Sequence, residues 1–229
     1  MQSTRSRLDR FISARTGIKR ADIRPLLAAG RISVDGHPAT AINQVVHQFS
    51  LVHLDDRILQ DNEPRYLMLN KPAGVVSTTR DKKHRTVIEL LAKSEAPGLH
   101  IAGRLDFNST GLLLLTNDGR WSRQLSVPEG QVEKTYRVEL ANRIEPGYVQ
   151  AFAEGMYFAY EGITTRPAKL GILDEHTAEV MLVEGRYHQI KRMFGRFRNP
   201  VLALHRIAVG ALQLDPALAP GEYRSLTPA

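Results

Sequence analysis

Four consecutive leucines, Leu112 to Leu115, lie between a glycine, Gly111, and the turn formers Asn117-Asp118-Gly119. A short, wholly apolar run bounded in this way reads as the heart of a buried strand. No apolar run approaches the ~20 residues that a membrane span requires, so the leucines belong to a protein core. The chain has the means to build one: 229 residues, 42% hydrophobic and 24% charged, describe a globular protein with a sizeable interior. With no cysteine, disulfides, thiolate catalysis, iron–sulfur clusters and cysteine-type zinc sites are excluded. The opening stretch, MQSTRSRLDRF, lacks the apolar segment of a secretory signal.

Around the leucine strand the periodicity predicts further elements. Leu8, Phe11 and Ile12 recur at helical spacing. A second short helix carries Ile23, Leu26 and Leu27 and stops at Gly30; Pro25 fits if it starts near Asp22 or Arg24. A strand at Arg31–Val34, a tight turn at Asp35-Gly36 and a returning strand at Leu51–Leu54 follow. The polar stretch from Gln60 to Pro64 places a boundary between a small module, residues 1–60, and a larger domain, residues 61–229. In the larger part, strands are expected at Tyr66–Leu69, Leu99–Ala102, Leu112–Thr116, Gln131–Leu140, Ala168–Leu173, Thr177–Val183, Val201–Leu204 and Val209–Leu214. Helices are expected at Thr86–Leu91, at Glu145–Glu154, and where Ile190, Met193, Phe194 and Phe197 form an apolar stripe. Many strands with few helices indicate an α+β domain.

The net charge of +7 is unevenly placed. Residues 1–60 hold nine Lys/Arg against five acids, and eight of those bases fall within the first 31 residues. A second concentration runs from Arg186 to Arg206, with Lys191, Arg192, Arg196 and Arg198 between and no acid. Two basic stretches favour a polyanionic partner, nucleic acid first.

Asp106 is the most informative residue for chemistry. It sits in a loop between two apolar strands, bracketed by Gly103 and Gly111 and flanked by Arg104, Asn108, Ser109 and Thr110. A carboxylate held ionised there can act as nucleophile or general base, though a lone loop aspartate also serves as a turn former or an ion-pair partner. Tyr136, inside a strand, offers either a packing ring or a surface on which a base stacks. Arg186, Lys191 and Arg192, expected at the start of a helix, suit an anion or an aspartate. The histidines show no metal spacing, and no phosphate-binding loop, dinucleotide fingerprint or nucleophile elbow occurs. One carboxylate, one aromatic hydroxyl and two basic stretches suit cofactor-free chemistry on RNA.

These residues also carry a resemblance. The run Gly103 to Gly119 resembles the signature of the RsuA-type pseudouridine synthases. So do Leu69 to Gly74, Glu133 to Tyr136, Glu184 to Phe194 and Pro220 to Arg224. The likeness extends in order and spacing over residues 61–229. Residues 1–60 resemble the small S-four-type RNA-binding domain through Arg7 to Phe11, Arg20, Arg31 to Val34 and Asp35-Gly36. The resemblance implies an α+β chain with a mixed or antiparallel catalytic sheet. It implies that Asp106 is the essential aspartate, Tyr136 the ring that stacks on the target base, and Lys191 the aspartate's cationic partner. Leu204 would lie beneath the base, while Arg104, Arg186, Arg192 and Arg206 would bind substrate. Arg7, Lys19, Arg20 and Arg31 would dock RNA.

The implied reaction is isomerisation of a uridine in ribosomal RNA to pseudouridine, without cofactor or metal. The histidine of Tyr187-His188-Gln189 and the chain length are most similar to members acting on small-subunit (16S) RNA. The expected setting is a cytoplasmic monomer working on ribosomal RNA within an assembling small subunit, away from membranes. The competing reading is a non-catalytic RNA-binding ribosome-assembly protein, and a metal-dependent nuclease would need clustered carboxylates that Asp118 and Glu89 do not supply.

Overall fold

The computed structural model describes residues 5–127 and 130–226, so the first four residues of the opening stretch lie outside the described residues. The chain divides into two compact units, one up to Pro64 and one from Arg65 on. In the first, β1 (Arg5–Arg7), α1 (Leu8–Thr16) and α2 (Arg20–Ala28) precede β2 (Ile32–Val34), β3 (His37–Pro38), β4 (Val45–His47), β5 (Val52–Leu54) and β6 (Arg57–Gln60). β1 pairs with β4, and the rest form an antiparallel sheet in the order β3-β2-β5-β6. Leu8, Ile12 and Ile23 from the helices meet Ile32, Val34 and Val52 from the sheet, all buried. Asp35 and Gly36 take consecutive positive φ values of 54° and 81°, the backbone of the tight hairpin their sequence predicts.

Pro25 departs from expectation. α2 begins at Arg20, so the proline lies in the helix interior rather than its first turn. The N–H it lacks would have bonded the carbonyl of Ala21, and that residue is exposed, so the unpaired carbonyl is not shut inside the core.

The second unit contains β7 (Tyr66–Lys71), β8 (His100–Ala102), β9 (Thr110–Thr116), α3 (Gly119–Ser126), β10 (Lys134–Leu140), α4 (Gly147–Glu154), β11 (Tyr157–Phe158) and β12 (Ile163–Thr164). It continues with β13 (Lys169–Ile172), β14 (Thr177–Leu182), α5 (Gln189–Gly195), β15 (Val201–Val209), β16 (Leu212–Gln213) and β17 (Tyr223–Ser225). Nine strands form one sheet in the order β13-β14-β10-β15-β9-β7-β17, with β8 added to β9 and β16 to β15. β9 explains its leucines. Leu113 and Leu115 enter the large core that α4 and α5 cover, whereas Leu112 and Leu114 enter a second core with Met68, Trp121 and Leu125. All four are fully buried, each contributing roughly 1.5–3 kcal/mol.

Every pairing of this sheet is antiparallel except one. Where β9 starts, Thr110 and Gly111 lie parallel to His205 and Arg206 of β15; where it ends, Leu114 to Thr116 pair with β8 on that side instead. The loop from Gly103 to Ser109 spans the fork between β8 and β15, and the chain must pass close there. A Cβ on Gly111, whose φ is +97°, would fall 2.3 Å from the carbonyl oxygen of Arg206, so no other residue fits.

Other departures have local causes. Asp118, expected only as a turn former, caps α3: its carboxylate accepts the N–H groups of Arg120 and Trp121. The two strands expected between Val201 and Leu214 are one long strand that reverses at Gly210 into β16, because the polar pair His205-Arg206 stays inside the sheet. α5 starts at Gln189, leaving Arg186 before it; the Gln189 side chain reaches back to accept the Arg186 N–H. Phe197 lies beyond the helix and stacks on Tyr148, ring centroids 3.8 Å apart. The segment expected as a helix at Thr86 is a single 3₁₀ turn, Val87–Leu90, with a capping box between Thr86 and Glu89.

Candidate active site

The loop that carries Asp106 is tied down on both sides. Ser77 Oγ donates to the Leu105 carbonyl at 2.7 Å and accepts the Leu105 N–H at 3.1 Å. The Phe107 carbonyl accepts the Gly74 N–H at 3.0 Å. Beneath the loop lies Lys71, fully buried at the end of β7. Its ammonium donates to the carbonyls of Pro72, Phe107 and Ser109 at 3.0, 3.1 and 2.7 Å. Burial pushes the Lys71 pKa down to about 8; the Asp106 charge opposes that shift and Arg206 adds to it.

Arg206 is the second strut. Its guanidinium is buried and donates to the carbonyls of Leu112 (2.7 Å) and Gly103 (2.8 Å), with the Arg104 carbonyl and the Tyr136 hydroxyl at 3.5 Å. Together Lys71 and Arg206 fasten the loop to β7 and β15, the two strands that flank the start of β9.

So anchored, Asp106 presents a carboxylate that remains unsaturated. Its oxygens lie 3.6 Å from Lys191 Nζ and 3.6 Å from His188 Nε2, beyond hydrogen-bonding distance, and its side chain is 30% exposed. A lysine and an imidazole thus face the carboxylate without occupying its lone pairs. Asp106 sits at the wall of a pocket of about 80 Å³ lined also by Arg104, Ser109, Tyr136, Arg186, His188, Lys191 and Leu204. At the ~10–15 Å³ a water requires, that is room for about six waters, the space of one small ring. Tyr136 and Leu204 reach it from adjacent strands of the sheet, both nearly buried. Ser109 Oγ, buried in the same wall, has no hydrogen-bond partner among the described residues, so its bonding capacity is open.

The structure thus brings Asp106, Tyr136, Lys191, Leu204, Arg104 and Arg186 to one pocket and leaves two expected residues outside its lining. Arg192 is held by both oxygens of Glu161 and lies over the Phe158 ring, 3.8 Å from its centroid. Arg206 has its donors engaged by the carbonyls of Gly103 in the loop and Leu112 in β9 and acts as a strut. Arg186, in the lining, also contacts the buried Glu184 carboxylate at 3.1 Å.

The sequence reading named Ser109 and His188, and Lys71 within the run Leu69 to Gly74, but gave none of the three a place in the site. Lys71 could have been found as a lysine closing the apolar run Tyr66–Leu69, a place where a charge needs a structural reason. The place of His188 and Ser109 in the site comes from the segments that lead into α5 and β9, which bring both to the pocket that Asp106 lines.

In the first unit, Arg7 and Arg20 both bond the buried carboxylate of Asp9, and Arg31 grips Asp55 with two bonds at 2.8 and 2.6 Å. Lys19 is exposed just before α2. A groove of about 500 Å³ lined by Arg5, Arg10, Phe11 and Arg15, among others, adds cations the sequence reading had not singled out.

Among the described residues no cluster of three or more His, Asp or Glu could hold a metal, and no helix is long and apolar enough to cross a membrane.

A nine-stranded mixed sheet that gathers an anchored aspartate, a tyrosine and a lysine around one small pocket has the groups of an enzyme site, and the sequence comparisons give its class. Residues 65–195 match the RNA pseudouridylate synthase family, and the chain belongs to it. Among its relatives, the ribosomal small subunit pseudouridine synthase A of Pseudomonas aeruginosa is 48% identical, and the protein of that name in Escherichia coli is 40% identical; each alignment covers 96% of both chains. A crystal structure described as a pseudouridylate synthase superposes with a TM-score of 0.71 at 40% identity, again over 96% of both chains.

Proposed function

We propose that this chain converts one specific uridine of small-subunit ribosomal RNA to pseudouridine, acting as a cytoplasmic monomer on RNA within the assembling subunit. The observation that carries the reading is Asp106, locked in position by its backbone yet unsaturated at its carboxylate, facing Lys191 in a pocket sized for one ring. The names of the relatives support the choice of the small subunit.

The target nucleotide leaves its stack to enter the pocket. Tyr136 supplies the ring against which the base rests, and Leu204 the apolar floor. Lys191 faces the Asp106 carboxylate, and Asp106 acts at the sugar while the N1–C1′ bond opens. The uracil then turns and bonds C1′ through C5. C5 gives up its proton to the Tyr136 oxygen as that hydroxyl's own proton passes to solvent, and N1 takes one proton from solvent, so the product is an isomer and the atoms balance without a cofactor. Ser109 Oγ offers the base or ribose a hydrogen bond. Arg104 and Arg186 serve the strand's phosphates, and Lys19 with its neighbours in residues 1–60, read as an S-four-type domain, docks the RNA.

Mapping pseudouridines in ribosomal RNA from cells with and without this protein tests the reading. One small-subunit position must lose its modification and regain it on complementation by the wild type but not by Asp106→Asn. An unchanged map overturns it.

A further inference from the structure

Beside the pocket lies a larger cavity, about 570 Å³, that shares Arg104, Asp106, Arg186 and His188 with it. Two aromatic rings line it in the open: Phe107, 41% exposed, and Tyr187, 76% exposed. Exposure alone means little, since Tyr157 and Tyr160 are also exposed and lie elsewhere. What sets this pair apart is support. The ring of His84 meets Phe107 edge-on, centroids 5.2 Å apart, and the ring of His188 stacks on Tyr187 at 3.9 Å and 20°. His188 also holds a left-handed backbone, φ 49°, a conformation a histidine adopts at a cost and which here sets its ring between Tyr187 and Asp106.

We propose that this cavity is a second nucleotide subsite, where Phe107 and Tyr187 stack the nucleotide adjacent to the target uridine. The inference rests on the uridine-modifying reading above. When a base swings out of an RNA strand, its neighbour loses a stacking partner on one face. A supported aromatic ring at the mouth of the pocket replaces that partner, as aromatic side chains do in single-strand binding. Arg104 and Arg186 line the same cavity, matching the phosphates that link the two nucleotides. The cavity meets the pocket at Asp106 and His188, so adjacent nucleotides of one strand can occupy both.

The test uses the full chain with unmodified full-length small-subunit RNA transcript and with the particle assembled from it. Tyr187→Ala is expected to raise KM about tenfold, within the range that stacking on one ring supports, at nearly unchanged kcat. Tyr187→Phe restores the wild-type KM, and Phe107→Ala gives a rise of the same kind. p-Benzoylphenylalanine placed at position 187 is expected to crosslink within one nucleotide of the mapped pseudouridine, read as a reverse-transcription stop. Unchanged KM in both alanine variants, or a crosslink remote from the modified position, overturns the subsite and leaves the catalytic reading standing. A wild-type protein that forms no pseudouridine in either substrate overturns both.

Discussion

Each unit of this molecule holds an aspartate among cations, and the two are used in opposite ways. Asp9 is buried and saturated. It accepts from Arg7 at 3.2 Å through two nitrogens, from Arg20 at 2.8 and 3.3 Å, and from the Arg10 N–H at 2.8 Å. Bonds from Arg20 foremost hold its carboxyl below the usual carboxylate range, against the opposing effect of burial. Asp106 has partners at 3.6 Å, takes no hydrogen bond at its carboxylate among the described residues, and stays partly open to solvent. Its backbone carries the anchoring that Asp9 receives at its side chain. A saturated carboxylate stabilises a fold; an anchored but unsaturated one keeps its lone pairs for a reaction.

The sharpest way to break this contrast is to neutralise each aspartate in turn. Asp106→Asn preserves shape and the loop's carbonyl bonds, so unfolding should move little. Activity should fall on the order of 10³-fold or more, the scale seen when a participating group is removed, measured as tritium release from RNA labelled at uridine carbon 5. Release at the wild-type rate would remove Asp106 from the chemistry.

Lys71→Met tests whether the anchoring matters. Three carbonyls lose their donor, and displacement of the loop by about 1 Å can cost on the order of 100-fold in kcat. The stability change has a distinctive pH signature. The folded state releases the Lys71 proton near pH 8, whereas the unfolded chain keeps it up to about 10.5. Between those values the unfolded chain binds more protons, so this group makes folding stability rise with pH. Denaturant titrations of wild type and Lys71→Met should therefore show the wild type gaining on the variant from pH 8 to 10. A constant difference would mean that Lys71 does not titrate in this window.

The amount of this that was legible in the sequence follows from the range of the interactions. Asp106 stood out because the glycines, hydroxyls and apolar strands around it are contiguous in the chain, and the leucines of β9 declare a strand whatever surrounds them. The fork in the sheet could not be seen. It depends on β15 approaching β9 from far along the chain, where the Arg206 guanidinium bonds the Leu112 carbonyl 94 residues away, and nothing local distinguishes a strut arginine from a substrate-binding one. Arg192 was misplaced for a related reason: its carboxylate, Glu161, is 31 residues distant. Pro25 shows the reverse failure, a local rule set aside because the helix face that lost its bond is exposed.

Asp9→Asn should give the complementary result to Asp106→Asn. The charge-assisted bonds from Arg7 and Arg20 weaken, and because both arginines are about half exposed the loss is modest, about 1–2 kcal/mol. Catalysis at saturating RNA should be spared. The folded pKa of Asp9 is lowered, so its contribution is fully present above the unfolded value near 3.8 and disappears as pH falls through the folded value. Unfolding midpoints of the two proteins should converge on acidification below pH 4; a gap that persists there would assign the loss to packing instead.

The smallest effect separates cations that bind RNA from cations that hold the fold. Lys19 is exposed at the start of α2, whereas Arg20 beside it is committed to Asp9. Lys19→Gln should reduce the dependence of log affinity on log salt by about 0.7–0.9, the release of one phosphate contact, and weaken binding roughly threefold at 0.1 M salt with no change in unfolding. Arg20→Gln should do the opposite, lowering stability with little effect on the salt slope, because its charge already faces a carboxylate. If both variants flatten the slope equally and neither is destabilised, then Asp9 does not occupy Arg20, and the saturated aspartate of the first unit would be as available to solvent and ligand as Asp106.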